Sequence, residues 1–353
     1  MDYFKLIKPF LYTLPAEIAH NIAIKALQYN FLPENKVNIY PNLATTVMGL
    51  NFIHPVGLAA GFDKNAEYLS RLFQQGFSYI ETGTVTPKPQ SGNPKPRIFR
   101  LTEDQAIINR LGFNNKGVDH FISKISSYQG KGIIGTNIGK NKDTTKFIDD
   151  YIFLLRKVFP YSSYITLNIS SPNTSGLRTL QHGKQLQELL KEVVKTHTEL
   201  SLSFNKNIPI LLKIAPDLSY AELEDIVQIA LNNKINGLII NNTTVQREFN
   251  LKNKHKHETG GLSGKPLFDL STKTLGTVYK LVGNQITLIG VGGIFSGHDA
   301  YRKILSGASL VQIYSSLIYN GFSVIESINK ELSYYLELDG FKNISEAVGK
   351  SIA

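Results

Sequence analysis

The sequence predicts an α/β protein, a (β/α)8 barrel with a small N-terminal helical extension. Three observations predict it. Eight short apolar runs recur along 353 residues, helix-period segments lie between them, and the runs end on polar side chains or glycine. Near-continuous apolar runs suit strands buried on both faces, as in a parallel sheet. A doubly wound open sheet is the competing architecture. Eight strands, and no glycine-rich dinucleotide fingerprint after the first, count against it.

In chain order the expected strands are residues 55–59, 78–82, 132–136, 164–168, 209–213, 237–241, 286–290 and 310–314. Between the first two, residues 65–75 place Leu69, Leu72 and Phe73 on one side and stop at Gly76. Leu186, Leu189, Leu190, Val193 and Val194 share a helical face. Leu223, Ile226, Val227 and Ala230 do the same, behind a capping box of Ser219 and Glu222. The strand tips read Ala60-Gly61, Thr82-Gly83-Thr84, Asn137, Asn168, Lys213, Asn241-Asn242, Gly292-Gly293 and Tyr314-Ser315. A closed barrel gathers such tips on one face, where barrel enzymes keep their chemistry. Asn and Gly also end strands for local reasons, which accounts for any single tip. It accounts poorly for Lys213, directly after Leu211 and Leu212, because a buried lysine requires an anionic partner.

Composition narrows the classes. Hydrophobic content of 42% and charged content of 19% describe a globular chain. No apolar run is long enough to cross a bilayer, and the first residues lack a signal-peptide pattern. The absence of cysteine excludes disulfides, thiolate zinc sites and iron–sulfur clusters, and no metal is expected. A net charge of +10 suits an anionic substrate or cofactor, an anionic membrane surface or nucleic acid. The basic residues are scattered and no RNP-type motif is present, so no nucleic-acid partner is expected.

Residues 164–178 carry the sharpest signal. A strand runs into a loop dense in amides and hydroxyls, with Ser171 and Pro172 just past its end. Without cysteine, a base or nucleophile here must be an oxygen, and Ser171 is the candidate. Gly292-Gly293 and Tyr314-Ser315-Ser316 follow the seventh and eighth strands, where barrels bind phosphate through backbone N–H groups. A phosphate site beside a buried lysine and a ring of asparagines suggests a cofactor with a phosphate tail and a polar heterocycle. Flavin mononucleotide (FMN) fits.

Residues 57–64, 81–90, 94–100, 109–115, 137–142, 168–174, 213–217, 259–267 and 290–294 resemble the dihydroorotate dehydrogenase family. An N-terminal extension and serine in the base position resemble its membrane-associated, quinone-reducing class 2; class 1 uses cysteine. The resemblance implies FMN-dependent oxidation of (S)-dihydroorotate to orotate in pyrimidine biosynthesis. Ser171 would remove the C5 proton while hydride leaves C6 for the flavin. Substrate would meet Lys64, Asn109, Arg110, Leu111, Gly112, Phe113, Asn168, Asn173, Asn242 and Thr243. FMN would meet Ala60, Gly61, Phe62, Asp63, Lys64, Thr84, Asn137, Asn168, Lys213, Asn241, Gly264, Gly293, Tyr314 and Ser315. Asn241 departs from the threonine usual in the family. A proton relay is implied near Thr174 and Phe113. The physical reading agrees: asparagine matches an amide edge, and Lys64 can answer a carboxylate.

Residues 1–40 are expected to form the extension and residues 41–353 the barrel. After Pro15, Ile18, Ile22, Ala26 and Tyr29 fall on one stripe. The stripe suits a helical pair packed on the barrel, or one dipping into a membrane interface to admit a lipid quinone. The resemblance favours the second, with Lys5, Lys8 and Lys25 toward anionic head groups. A monomer is expected, peripheral on the cytoplasmic face of the cell membrane. His20 suits the quinone end or a satisfied structural role. Arg178 suits closure of the loop or a surface ion pair, and residues 247–258 read as a solvated loop. Two rivals remain at this point: a Schiff-base aldolase using Lys213, and a non-catalytic basic binding protein.

Overall fold

The computed structural model describes residues 3–29 and 31–352. Two helices open it, α1 (Tyr3–Thr13) and α2 (Ala16–Gln28). A hairpin of β1 (Thr45–Val47) and β2 (Leu50–Phe52) follows. The barrel strands are β3 (Val56–Leu58), β4 (Tyr79–Val85), β7 (Ile133–Ile138), β8 (Tyr164–Asn168), β9 (Ile210–Ile214), β10 (Gly237–Ile240), β12 (Thr287–Val291) and β13 (Leu310–Ile313). Each pairs in parallel with its neighbour, and β13 returns to β3 to close the barrel. All eight expected runs are therefore strands. The main boundary error is at β4, which continues to Val85 through a register shift between Gly83 and Val85. The tip assigned to Thr82, Gly83 and Thr84 is thus part of the strand.

The crossover helices bury the faces their periodicity marked. In α3 (Gly183–Phe204) Leu186, Leu189, Leu190 and Val193 are inaccessible. In α4 (Tyr220–Asn232) the expected capping box is formed, with Ser219 accepting from the Glu222 N–H. At the N-terminal mouth Phe52 from the hairpin meets Tyr79 edge-to-face at 5.2 Å. Val47, Phe52, Tyr79, Tyr164, Leu211, Ile239, Ile289 and Leu310 form this apolar floor. The barrel is therefore sealed below and can open only above.

Over the C-terminal mouth sits a sheet that the sequence reading did not anticipate. It joins β5 (Ile98–Leu101), β6 (Ala106–Asn109) and β11 (Gly261–Gly264), with β6 antiparallel to both neighbours. Strands of four residues inserted in barrel loops carry too little periodicity to stand out.

The N-terminal helices lie against this upper end. The guanidinium of Arg97, almost wholly buried, donates to Glu17 Oε1 at 2.9 Å. Arg100 donates to the Tyr12 carbonyl at 3.2 Å, and Lys8 Nζ to the Tyr319 carbonyl at 2.9 Å. Lys8 is therefore turned back onto the barrel, not outward as expected. Lys25 is exposed; the Lys5 side chain lies outside the described residues. Leu6, Phe10, Ile18 and Phe31 are each at least half exposed (67%, 65%, 50% and 77%). Among the described residues no helix is long and apolar enough to cross a membrane.

Candidate active site

One cavity of about 350 Å³ runs from the barrel mouth to the groove between α1 and α2. At its floor, Glu81 of β4 is inaccessible to solvent. Its Oε1 accepts from Asn137 Nδ2 at 2.8 Å. Its Oε2 accepts from Gln312 Nε2 (3.0 Å), Thr166 Oγ1 (3.1 Å) and the Tyr164 hydroxyl (3.2 Å). Lys213, near the end of β9, lies within electrostatic reach of this carboxylate. Burial pulls its ammonium below the usual lysine range, and the charge of Glu81 partly restores it. The anionic partner that a buried lysine demands is thus Glu81. A carboxylate in mid-strand, between Ile80 and Thr82, was the available signal. Lys213 has no hydrogen-bond partner of its own among the described residues, and it lines the cavity.

A buried amide–hydroxyl lattice rises from that floor. Asn137 Oδ1 accepts from Thr84 Oγ1 at 2.6 Å and from Asn168 Nδ2 at 3.1 Å. Asn242 Nδ2 donates to Ser170 Oγ at 3.0 Å. Several buried oxygens remain without a partner: Asn241 Oδ1, Thr243 Oγ1, Gln312 Oε1 and Ser316 Oγ. All four residues line the cavity. A buried polar atom left unpaired is costly, so this set is built for a polar ligand.

The upper wall is a turn and a helix start. Gly293 has φ +74°, and a Cβ there would come within 2.7 Å of the Phe268 backbone nitrogen. Among the described residues, the N–H groups of Gly292 and Gly293 donate to no backbone carbonyl. Ser315 opens α5 (Ser315–Asn320), and its hydroxyl donates to Ser263 Oγ at 3.0 Å. Free N–H groups beside small side chains make a cradle for phosphate.

The loop after β8 closes the side. Ser171 is 7% exposed, and its Oγ accepts from the Asn173 N–H at 3.3 Å. Asn173 Nδ2 donates to the Asn109 carbonyl at 3.1 Å, which ties the loop to the strap after β6. Arg178 bridges three loops: it donates to the Ser170 carbonyl (3.0 Å), Asp217 (2.7 Å) and the Thr243 carbonyl (2.9 Å). It is therefore a loop clamp and not a surface ion pair. Thr174 Oγ1 is buried without a partner.

Most expected residues converge on the cavity: Ala60, Gly61, Phe62, Lys64, Thr84, Asn109, Leu111, Gly112, Phe113, Asn168, Ser171, Asn173, Lys213, Asn241, Asn242, Thr243, Gly264, Gly293, Tyr314 and Ser315. Three are placed differently. The Asp63 carboxylate turns away to accept from the N–H groups of Glu67 (2.9 Å) and Tyr68 (2.8 Å). Burial nonetheless pushes it up to about 6. Arg110 reaches outward to Glu258 at 2.7 Å and lies over the Phe99 ring. Asn137 stands behind the lining as the link from Glu81 to Thr84 and Asn168. Sequence reasoning missed Glu81, Gln312 and Ser263, because none sits at a strand tip.

Charge in the cavity is cationic. Burial, aided by the Arg97 guanidinium, brings Lys64 down to about 8. His20 lines the cavity with its ring edge-on to Phe62 at 5.5 Å. Burial first, then the Lys64 charge, holds it near 4, so its imidazole is neutral. The segment 247–258, expected to be a solvated loop, is only partly so: Leu251 and Asn253 are buried and His255 packs on Phe99 at 5.4 Å. No metal-capable group of His, Asp or Glu occurs among the described residues.

A closed parallel barrel with a polar, cationic cavity at its C-terminal mouth defines a (β/α)8-barrel enzyme. A family model described as dihydroorotate dehydrogenase matches residues 42–336. The chain is 44% identical to dihydroorotate dehydrogenase (quinone) of Azorhizobium caulinodans over 100% of both sequences. It is 45% identical to the mitochondrial dihydroorotate dehydrogenase (quinone) of Arabidopsis thaliana, over 98% of this chain and 81% of that one. The crystal structure of DHODH from Eimeria tenella in complex with ferulenol superimposes with a TM-score of 0.90 at 41% identity, covering 95% of each chain. The chain belongs to the dihydroorotate dehydrogenase family, on its quinone-linked branch, and is an oxidoreductase of pyrimidine biosynthesis. With that membership the aldolase and binding-protein readings fall away.

Proposed function

We propose that this cavity binds FMN and (S)-dihydroorotate together, and that Ser171 removes the C5 proton as hydride leaves C6. When bound, FMN would supply the two-electron acceptor for that hydride, with a quinone as the final oxidant. Gly264, Gly292, Gly293 and Ser315 would hold its phosphate. Lys213, Thr84, Asn168, Asn241 and Gln312 would hold its heterocycle, with Ala60, Gly61, Phe62 and Tyr314 beside it. The cavity fits that group because its lining brings together an ammonium without a hydrogen-bond partner, orphaned polar oxygens and free backbone N–H groups.

The strap of Asn109, Leu111, Gly112 and Phe113, together with Asn173, Asn242 and Thr243, encloses the space beside Ser171. Lys64 answers the substrate carboxylate by charge-assisted hydrogen bonding. A serine hydroxyl is a weak base in water, so it needs a dry site and an outlet for its proton. Ser171 is nearly inaccessible, and the unpartnered Thr174 hydroxyl in the same loop is the outlet we assign.

The groove between α1 and α2 is lined by Ile7, Leu11, Ala16, Ala23 and Ala26 and reaches the same cavity. Its exposed apolar rim suits residues 1–40 to lie in a membrane interface as a unit distinct from the 41–353 barrel. A monomer, peripheral on the cytoplasmic face of the cell membrane, would receive lipid quinone through this groove.

The observation that carries the reading is the convergence of Ser171, a Lys213 ammonium without a hydrogen-bond partner and four orphaned oxygens on one cavity. Anaerobic addition of dihydroorotate to purified protein should bleach a flavin spectrum. In Ser171→Ala the flavin should stay bound while bleaching slows by about a thousandfold or more. A wild-type spectrum that dihydroorotate leaves unchanged would overturn the reading.

A further inference from the structure

Glu81 has no place in the chemistry described so far, yet it is a wholly buried carboxylate in the middle of a barrel strand. Four neutral donors, from Asn137, Gln312, Thr166 and Tyr164, converge on its carboxylate. A carboxylate is acceptor-only, so an amide beside it must turn its NH₂ inward and its carbonyl outward. Both neighbouring amides obey. Asn137 sends its Oδ1 toward Thr84 and Asn168, and Gln312 is left with a buried, unpartnered Oε1 at the cavity wall. The same charge acts on Lys213, which attracts Glu81 through the barrel interior without a direct ion pair.

We propose that Glu81 is a positioning residue for catalysis, which orients the amides under the cofactor and supplies the counter-charge of Lys213. The inference rests on the FMN reading above. One buried anion then fixes which edges of the floor donate and which accept. It also sets how much uncompensated positive charge faces a reduced, anionic heterocycle. Remove the anion and two things follow. Asn137 and Gln312 lose their reason to face inward, and Lys213 becomes a buried charge without an opposite.

The test uses Glu81→Gln, Glu81→Asp, Lys213→Met and the double variant Glu81→Gln/Lys213→Met, each as the flavin-loaded full chain. Three readouts are the FMN dissociation constant, the midpoint potential of the bound flavin at pH 7, and the melting temperature. Glu81→Gln should weaken FMN binding at least about tenfold and shift the potential upward, since a negative charge has left the site. Glu81→Asp should bring the potential back toward wild type. The double variant should melt higher than additivity of the two single losses allows, because removing both charges leaves neither unpaired. An unshifted potential in Glu81→Gln, or additive melting losses, would overturn the proposal. If Glu81→Gln does not fold, a folded double variant supports it and an unfolded one refutes it. Wild-type flavin that dihydroorotate fails to bleach would sink the FMN reading itself, and so would be told apart.

Discussion

Lys64 shows how a single side chain sets a pH limit. Its ammonium, lowered to about 8 by burial, is charged below that pH and neutral above it. Orotate is an anion, so its dissociation constant should rise about tenfold per pH unit above 8, and Lys64→Gln should abolish that slope. Titration of the bound flavin's visible spectrum with orotate would measure both. Arg178 acts at a distance. Its three anchors lie in three loops, so Arg178→Ala should leave FMN bound but cut kcat/KM for dihydroorotate about ten- to a hundredfold. Stopped-flow reduction of the flavin would check it. His54 bears on stability. It is buried, its Nδ1 accepts from the Val56 N–H, and its Nε2 donates to the Gly76 carbonyl. Burial lowers it from 6.5 to about 4, so below 6.5 the unfolded chain binds a proton that the folded chain refuses. Its share of stability is intact above pH 6.5 and drains away as pH falls to 4, by about 3 kcal/mol. Denaturant melts of wild type and His54→Gln should therefore converge on acidification.

At the scale of elements, the turn after β12 and the N-terminal helices carry the separable tasks. Gly293 combines a left-handed φ with Phe268 packed against it, so Gly293→Ala should displace the turn and weaken FMN binding at least about tenfold. Equilibrium dialysis of FMN would read this directly. Deleting residues 1–40 should spare flavin reduction by dihydroorotate but cripple turnover with long-tailed quinones. Deletion also strips Glu17 from the nearly buried Arg97, so Arg97→Gln in the truncated chain should recover part of any lost stability. Quinone turnover unaffected by the deletion would show that the groove between α1 and α2 is not the route.

For the whole molecule, the barrel is a rigid cup sealed at one end by apolar packing and left polar at the other. The unsatisfied groups at its open end make the flavin-free protein the less stable form, and added FMN should raise the melting temperature by several degrees as its concentration passes the dissociation constant. The eight strands were legible in the sequence because each is buried on both faces and so written as an unbroken apolar run. The strand tips exposed Lys213 for the same reason, since a charge at the end of such a run has no local explanation, while Asn168 and Ser171 stood out only as part of the set of polar tips. The roles of Asp63 and Arg110 could not be read that way. A motif places a residue in a loop but not the direction of its side chain, and Asp63 turns to cap backbone N–H groups while Arg110 turns to Glu258. Glu81 and Gln312 lie in mid-strand, where only barrel closure brings Asn137, Thr166 and Lys213 around one carboxylate. The sequence by itself determined the barrel, its chemical mouth and the residue types available there, since these follow from burial and short-range pattern. Only the tertiary structure decided which of those groups face one another, because contacts between strands far apart in the chain depend on register and closure, which no local pattern encodes.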